Sequence, residues 1–200
     1  MMRSRKNTLT FHQKKKIITP KLVREIFSWI TITALAIVIA FALVFAFGMQ
    51  VMVIGDSMES ELANGQKVLV DRALAKIVSP KKGDIIVFLP NGNTNSHYYV
   101  KRVVAVPGDT VQITDGLLYI NGSLSGEDTE EFDKMEDPGI AANPVTLKSG
   151  EYFVLGDNRN SSEDSRSANI GVVTSNMMVG KAWFKLGFEE RAAGPVLNSY

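Results

Sequence analysis

The chain has 200 residues, 45% of them hydrophobic and 22% charged, with a formal net charge of +1. That length accommodates one folded domain plus a membrane anchor, and the composition excludes a disordered chain. With no cysteine, disulfides, thiol catalysis and Cys-based zinc sites are excluded, and the near-neutral charge speaks against a nucleic-acid partner.

Residues 1–25 carry Arg3, Arg5, Lys6, Lys14, Lys15, Lys16, Lys21 and Arg24 against a single acid, Glu25. From Ile26 to Gly55 there is no charged residue. A hydrocarbon core of ~30 Å needs about 20 helical residues, and this run is long enough. A cleaved signal peptide has an apolar stretch of only about 7–15 residues, whereas bulky residues continue here through Met52 and Ile54. A helix packed against the core of a small domain would carry a polar face, whereas this run is apolar all round. Residues 26–54 are therefore read as a single uncleaved transmembrane anchor with a short connection. The positive-inside rule keeps residues 1–25 in the cytoplasm and puts the rest outside.

After Gly55 the pattern changes to short apolar runs broken by turn signals. Strands are expected at Lys67–Asp71, 84–89, 98–106, Thr110–Thr114, Leu117–Ile120, 152–155 and 181–186. The breaks include Asn64-Gly65, Lys82-Gly83, Pro107-Gly108, Asp115-Gly116 and Asn121-Gly122. Asp115-Gly116 between two β-prone runs is a hairpin signal. Short helices fit 60–63 and 175–178. The expected architecture is mainly β: one N-terminal transmembrane helix, then an exported antiparallel β-sheet domain over 55–188, with a tail at 189–200. Residues 115–150 are expected to form a small inserted β/loop subdomain. Its part 121–150 holds Glu127, Asp128, Glu130, Glu131, Asp133, Glu136 and Asp137, but without the spacing of a calcium loop.

Without cysteine, the nucleophile must be Ser, Thr, Asp or Lys. Beyond the anchor the sole histidine is His97, too few for a His-rich metal site; it reads as a solvated loop residue. In the strand 98–106, alternation puts Tyr99, Lys101, Val103 and Ala105 on one face and Val100, Arg102, Val104 and Val106 on the other. A lysine among apolar side chains has its charged form disfavoured and its pKa lowered, so Lys101 fits a general base. An edge lysine that snorkels to water fits the same pattern. Ser57, in Ile54-Gly55-Asp56-Ser57-Met58, opens the exported domain; a glycine before it permits a tight turn. The segment 156–166, GDNRNSSEDSR, is dense in hydrogen-bonding groups. A metal site of Asp157, Glu163 and Asp164 competes there with a rigid loop, and the interleaved Arg159 and Arg166 favour the loop.

Together and in this order, these segments resemble the bacterial type I signal peptidases. The family pattern S-M-x-P-T-L aligns with Ser57-Met58-Glu59-Ser60-Glu61-Leu62. G-D-[IV]-[IV]-V-F matches residues 83–88, K-R-[IV]-x-[GA]-x-P-G-D matches 101–109, and G-D-N-R-x-x-S-x-D-S-R matches 156–166. The likeness covers the span and about 130 residues after it, weakening over 115–150. It implies a Ser-Lys serine endopeptidase that removes signal peptides from exported preproteins, cutting after small residues at −1 and −3. By the same resemblance Ser57 is the nucleophile and Lys101 the general base. Ser162 orients the lysine amine, and Met58, Leu62, Tyr99 and Val100 line substrate pockets. Arg102, Asp157, Asp164 and Arg166 form structural ion pairs. No metal or cofactor is implied. The implied partners are preprotein signal peptides, the lipid bilayer and the secretion translocon, with the catalytic domain on the outer side of the bacterial cell membrane.

The chain departs from the family pattern at Ser60-Glu61, which replace Pro-Thr after the serine. Proline restrains itself and the residue before it, so its loss affects the turn and the pocket beside Ser57. The alternative function is a catalytically degenerate relative acting as a membrane-anchored assembly factor. A self-cleaving DNA-damage repressor would carry a DNA-binding domain where this chain has a span. An endoplasmic-reticulum-type peptidase would carry histidine in place of Lys101.

Overall fold

The structure, a computed structural model, describes residues 19–73, 75, 77–93, 95–126 and 132–197. The basic residues of 1–18, the acids Glu127, Asp128, Glu130 and Glu131, and the tail residues 198–200 lie outside the described residues.

Helix α1 spans Pro20–Phe47 and buries none of its residues. Thr19 caps it, its Oγ1 accepting from the Leu22 amide at 3.4 Å, and Pro20 occupies the first helical position, where its missing N–H costs nothing. The hydroxyls of Thr31 and Thr33 donate to the carbonyls of Phe27 and Trp29 one turn back, so these two polar groups are satisfied within the helix itself. The charge-free part of the helix, residues 26–47, rises ~33 Å, the thickness of a hydrocarbon core. It is the one helix among the described residues long and apolar enough to cross a membrane.

The apolar run expected as anchor and connection divides at Gly48. Residues Met49–Met52 leave the helix as strand β1 and pair antiparallel with β2, Lys67–Asp71. An apolar run carries no periodicity that separates strand from helix, so this boundary was invisible in the sequence.

From β2 the chain runs through β3 (Ile85–Phe88), β4 (Tyr99–Ala105), β5 (Thr110–Thr114), β6 (Leu117–Ile120), β7 (Ser123–Leu124), β8 (Val145–Thr146), β9 (Glu151–Leu155), β10 (Val173–Thr174), β11 (Met178–Lys185) and β12 (Gly194–Pro195). All pairings are antiparallel, in two sheets. The larger has the order β1-β2-β11-β3-β4-β9-β10, with β12 also on β11; the smaller is β7-β6-β5-β8. The mainly β, antiparallel expectation holds. Both Asp115-Gly116 and Asn121-Gly122 have positive φ at both residues, the conformation of two-residue hairpin turns. Of the acidic stretch the second sheet takes Ser123–Leu124 and Val145–Thr146, while the described residues 132–144 between them are turns and irregular chain with one short 3-10 turn at Gly139–Ala142.

The larger sheet is buried on both faces in its middle. Ile85 and Val87 of β3 enter one core with Val51, Met58, Leu62, Val68, Val70 and Val100. Ile86 and Phe88 enter another with Val103, Tyr152, Val154 and Val173. Two-sided burial explains the unbroken apolar run of β3. A third core joins the two sheets through Val104, Ala105, Val111, Ile113, Leu118, Phe153 and Leu155.

Two details differ from simple strand patterns. The expected alternation in β4 fails at its end, because a bulge against β9 falls between Val103 and Ala105; Ala105 then shares a core with Val104 rather than with Val103. The helix expected at 60–63 is absent, since Ser60 has a φ of 92°, which no right-handed helix allows. Strand β11 carries two bulges and serves β3 with its first half and β2 with its second. At Gly180 a side chain would collide with the carbonyl of Asp71 and with Val70, so only glycine lets β2 approach.

Candidate functional site

Ser57 sits on a loop tied at its base. The Val53 amide donates to Gln66 and the Gly65 amide donates back to Val53. Gly55, with φ 82°, turns the chain, its amide held by the Asn64 side chain at 3.0 Å. The Glu59 and Leu62 amides close two turns onto Asp56 and Met58. Among the described residues no hydrogen bond engages the Ser57 amide, while its carbonyl accepts from the Asn158 amide at 3.1 Å.

Lys101 comes from the centre of β4, opposite Ile86 of β3. Its Nζ lies 2.6 Å from Ser57 Oγ, a pair 44 residues apart in sequence. Lys101 is 4% exposed and Ser57 9%. Burial lowers the Lys101 pKa from 10.5 to about 8, although the carboxylates of Asp164, Asp157 and Glu163 pull the other way. The ring of Tyr99 stands 5.7 Å from the ammonium. Among the described residues Lys101 is thus the titratable group within hydrogen-bond reach of the serine oxygen. It is neutral over a substantial fraction of molecules near pH 8.

The loop 156–166 packs behind this pair. Arg102, the neighbour of Lys101, makes a bidentate pair with Asp157, both bonds 2.7 Å, and also donates to the carbonyls of Gly83 and Leu197. Arg166 and Asp164 pair at 2.9 Å, with further bonds from Arg166 to the carbonyls of Arg159 and Asp137. Asp164 also accepts from the Gly156 amide. The four residues expected as structural ion pairs therefore form two buried pairs, Arg102–Asp157 and Arg166–Asp164. Asp157 and Asp164 being engaged this way, and Glu163 accepting from the Tyr99 hydroxyl at 3.0 Å, the three do not gather as metal ligands. No metal-binding cluster occurs among the described residues.

Gly156 has no room for a side chain: a Cβ there would collide with the Ser57 carbonyl and with Ser162 Oγ. Ser162 Oγ is buried and without a hydrogen-bond partner among the described residues. It does not bond Lys101, and the amine is held by Ser57 instead.

A cleft of about 200 Å³ opens on the pair, walled by Val53, Ile54, Gly55, Tyr99 and Val100, with His97 and Glu163 at its polar edge. Of the four residues expected to line substrate pockets, Tyr99 and Val100 wall this cleft. Met58 and Leu62 are fully buried in the core under the loop. Their spacing in the Ser57 motif packs the loop onto the sheet. Sequence reasoning missed three contributors. His97 is exposed, but stacks on Tyr99 at 4.8 Å rather than standing free in solvent. Asn158 fixes the Ser57 carbonyl through its backbone, which no side-chain pattern reveals. Glu163 was weighed as a metal ligand and instead orients Tyr99.

The family model described as signal peptidase, peptidase S26, matches residues 26–186. The chain belongs to this family. Signal peptidase I of Bacillus licheniformis is 34% identical over 167 residues, 80% of this chain and 88% of that protein. Signal peptidase IB of Staphylococcus aureus (strain COL) is 32% identical over 180 residues, 81% of this chain and 90% of that protein. A crystal structure of a signal peptidase I from Enterococcus faecalis V583 is 32% identical, covers 52% of this chain and 97% of that one, and superposes with a TM-score of 0.39. The match to the signal peptidase family takes in β1 to β11, and with them Ser57, Lys101 and both buried ion pairs.

Proposed function

We propose that the protein is a membrane-anchored serine endopeptidase that removes N-terminal signal peptides from exported preproteins by a Ser57-Lys101 mechanism. The observation that carries this reading is the 2.6 Å contact between a buried lysine of lowered pKa and a serine facing a narrow cleft. Membership of the signal peptidase family and the printed names of the relatives support the substrate class. Helix α1 is the anchor; the basic residues 1–25 hold its start in the cytoplasm, and the β-sheet domain works on the outer side.

An extended preprotein segment lies along the cleft, with small side chains at −1 and −3 against Val53, Ile54, Tyr99 and Val100. Neutral Lys101 takes the Ser57 hydroxyl proton as Oγ attacks the scissile carbonyl. The unengaged Ser57 amide donates to the oxyanion. The Lys101 ammonium then protonates the leaving amine, the C–N bond breaks and the mature chain departs. Water, deprotonated by Lys101, cleaves the Ser57 ester and frees the signal peptide carboxylate. No step calls for a metal or cofactor.

The test is cleavage of a preprotein with an Ala-x-Ala site by the full-length protein in detergent, beside Ser57→Ala, Lys101→Ala and His97→Ala. The expected result is loss of cutting in the first two and cutting retained, within about tenfold, in His97→Ala. Activity surviving in Lys101→Ala removes the proposed base, and complete loss in His97→Ala assigns that role to the histidine.

A further inference from the structure

The loop that presents Ser57 contains a residue in an uncommon conformation. Ser60, at φ 92°, lacks the freedom of glycine and is held there against a steric cost. Proline, which the family pattern has at this position, is locked near φ −65° and could not adopt this conformation, so other contacts must hold the turn. Three consecutive residues of this turn are gripped from outside. Glu59 Oε1 accepts from Arg191 Nη2 at 2.5 Å, and the Ser60 carbonyl lies 3.5 Å from Arg191 Nη1. Glu61 Oε1 accepts from Lys185 Nζ at 2.8 Å and from the Leu197 amide at 3.0 Å, and the Glu61 carbonyl accepts from the same lysine.

All these donors come from the end of β11 and the segment after it. That segment turns back through a bridge between Phe188 and Arg191 and pairs as β12 with Phe184 and Lys185. It is anchored by Val196, 9% exposed within the core, and by the Phe188 ring against Gly65. Its last described residue, Leu197, has a second bond: the Leu197 carbonyl accepts from Arg102 Nη1 at 3.0 Å. One residue therefore joins the serine's turn, through Glu61, to the neighbour of Lys101.

We propose that residues 188–197 form a clamp that sets the Ser57–Lys101 distance, with Glu61 as its positioning residue. The clamp rests on the endopeptidase reading for its functional meaning, but not for its geometry. Glu61 touches no reacting atom; it acts by holding the turn from which Ser57 projects. Surface pairs such as Glu59–Arg191 each contribute little, whereas the less exposed Glu61, with three bonds from two elements, holds more.

The experiment uses the full-length protein in detergent and reads kcat and KM on the Ala-x-Ala preprotein, together with backbone hydrogen exchange at the Glu59 and Leu62 amides. Glu61→Ala is expected to lower kcat by about 10- to 100-fold, the loss a displacement of about 1 Å brings, with KM within about threefold. Exchange at both amides should rise. Glu61→Gln keeps an acceptor for the Leu197 amide and should recover most of kcat. Should Glu61→Ala fail to fold, the charge reversals Glu59→Arg and Arg191→Glu serve: each should lower kcat about two- to fivefold and the double variant should restore it. Wild-type kcat in Glu61→Ala with unchanged exchange, or a double variant no better than its singles, overturns the clamp. If the wild-type protein cuts nothing while exchange still rises in Glu61→Ala, the endopeptidase reading fails and the clamp stands.

Discussion

Lys101 is the residue whose burial costs the fold most visibly. Replacing it with methionine keeps the length and volume of the side chain and removes the charge. A pKa lowered from 10.5 to about 8, at 1.36 kcal/mol per unit, corresponds to about 3 kcal/mol of stability lost at neutral pH. Losing the hydrogen bond to Ser57 offsets roughly 1 kcal/mol of the gain. Lys101→Met should thus be more stable than wild type by about 2 kcal/mol at pH 7, or about 4–8 °C in Tm, while inactive. The sign with pH follows from linkage. Below pH 8 the lysine is charged in both folded and unfolded chains, and the penalty is full and constant. Between pH 8 and 10.5 the unfolded chain holds a proton the folded one has released, so wild-type stability rises with pH and the advantage of Met shrinks. Denaturant unfolding of the full-length protein at pH 7 and pH 10, followed by Trp183 fluorescence, measures both values. A destabilised Lys101→Met at pH 7, or an advantage that does not shrink by pH 10, would refute the reasoning.

Three other perturbations have expected outcomes. Gly156→Ala drives a methyl group into the Ser57 carbonyl and Ser162; activity should fall at least tenfold and stability by about 1–3 kcal/mol, read by cleavage rate and unfolding. Asp157→Ala leaves Arg102 buried without its bidentate partner and should cost about 3–5 kcal/mol, whereas the double change Arg102→Met with Asp157→Ala should cost less than Asp157→Ala alone. Burial raises the Asp109 pKa, but the Val106 amide, Lys82 and Asn121 outweigh it and leave the carboxyl below its usual value. Asp109→Asn should therefore destabilise by about 1–3 kcal/mol at pH 7, and the difference should fade as acid protonates the wild-type carboxylate.

Much of the fold was legible because local chemistry and the sheet agree. Strands β2, β5 and β6 lie where alternation and the flanking turn residues put them, and the two Asx-Gly turns follow from their need for positive φ. Strand β1 was hidden, since its apolar residues continue the run of the helix. Pairing alone defines β12, two residues long and specified by contacts with Phe184 and Lys185. At the site, Ser57 and Lys101 stood out only through the ordered blocks of a resemblance; as single residues, each had an ordinary reading. Met58 and Leu62 have a packing role that the motif alone does not reveal, both being buried in the core under the serine loop. Glu61 shows the converse: it registered as a departure from pattern, and its partners Lys185 and Leu197 lie 124 and 136 residues away, beyond any local signal.

The most direct test of the Ser57-Lys101 claim is rapid-quench mass spectrometry of the full-length protein with an Ala-x-Ala preprotein across pH. The expected result is a transient acyl adduct on the peptide containing Ser57, whose formation rate rises with an apparent pKa of about 8 and vanishes in Lys101→Ala. An adduct on another residue, or a rate that titrates near the ordinary histidine value of about 6.5 and survives Lys101→Ala, would contradict it.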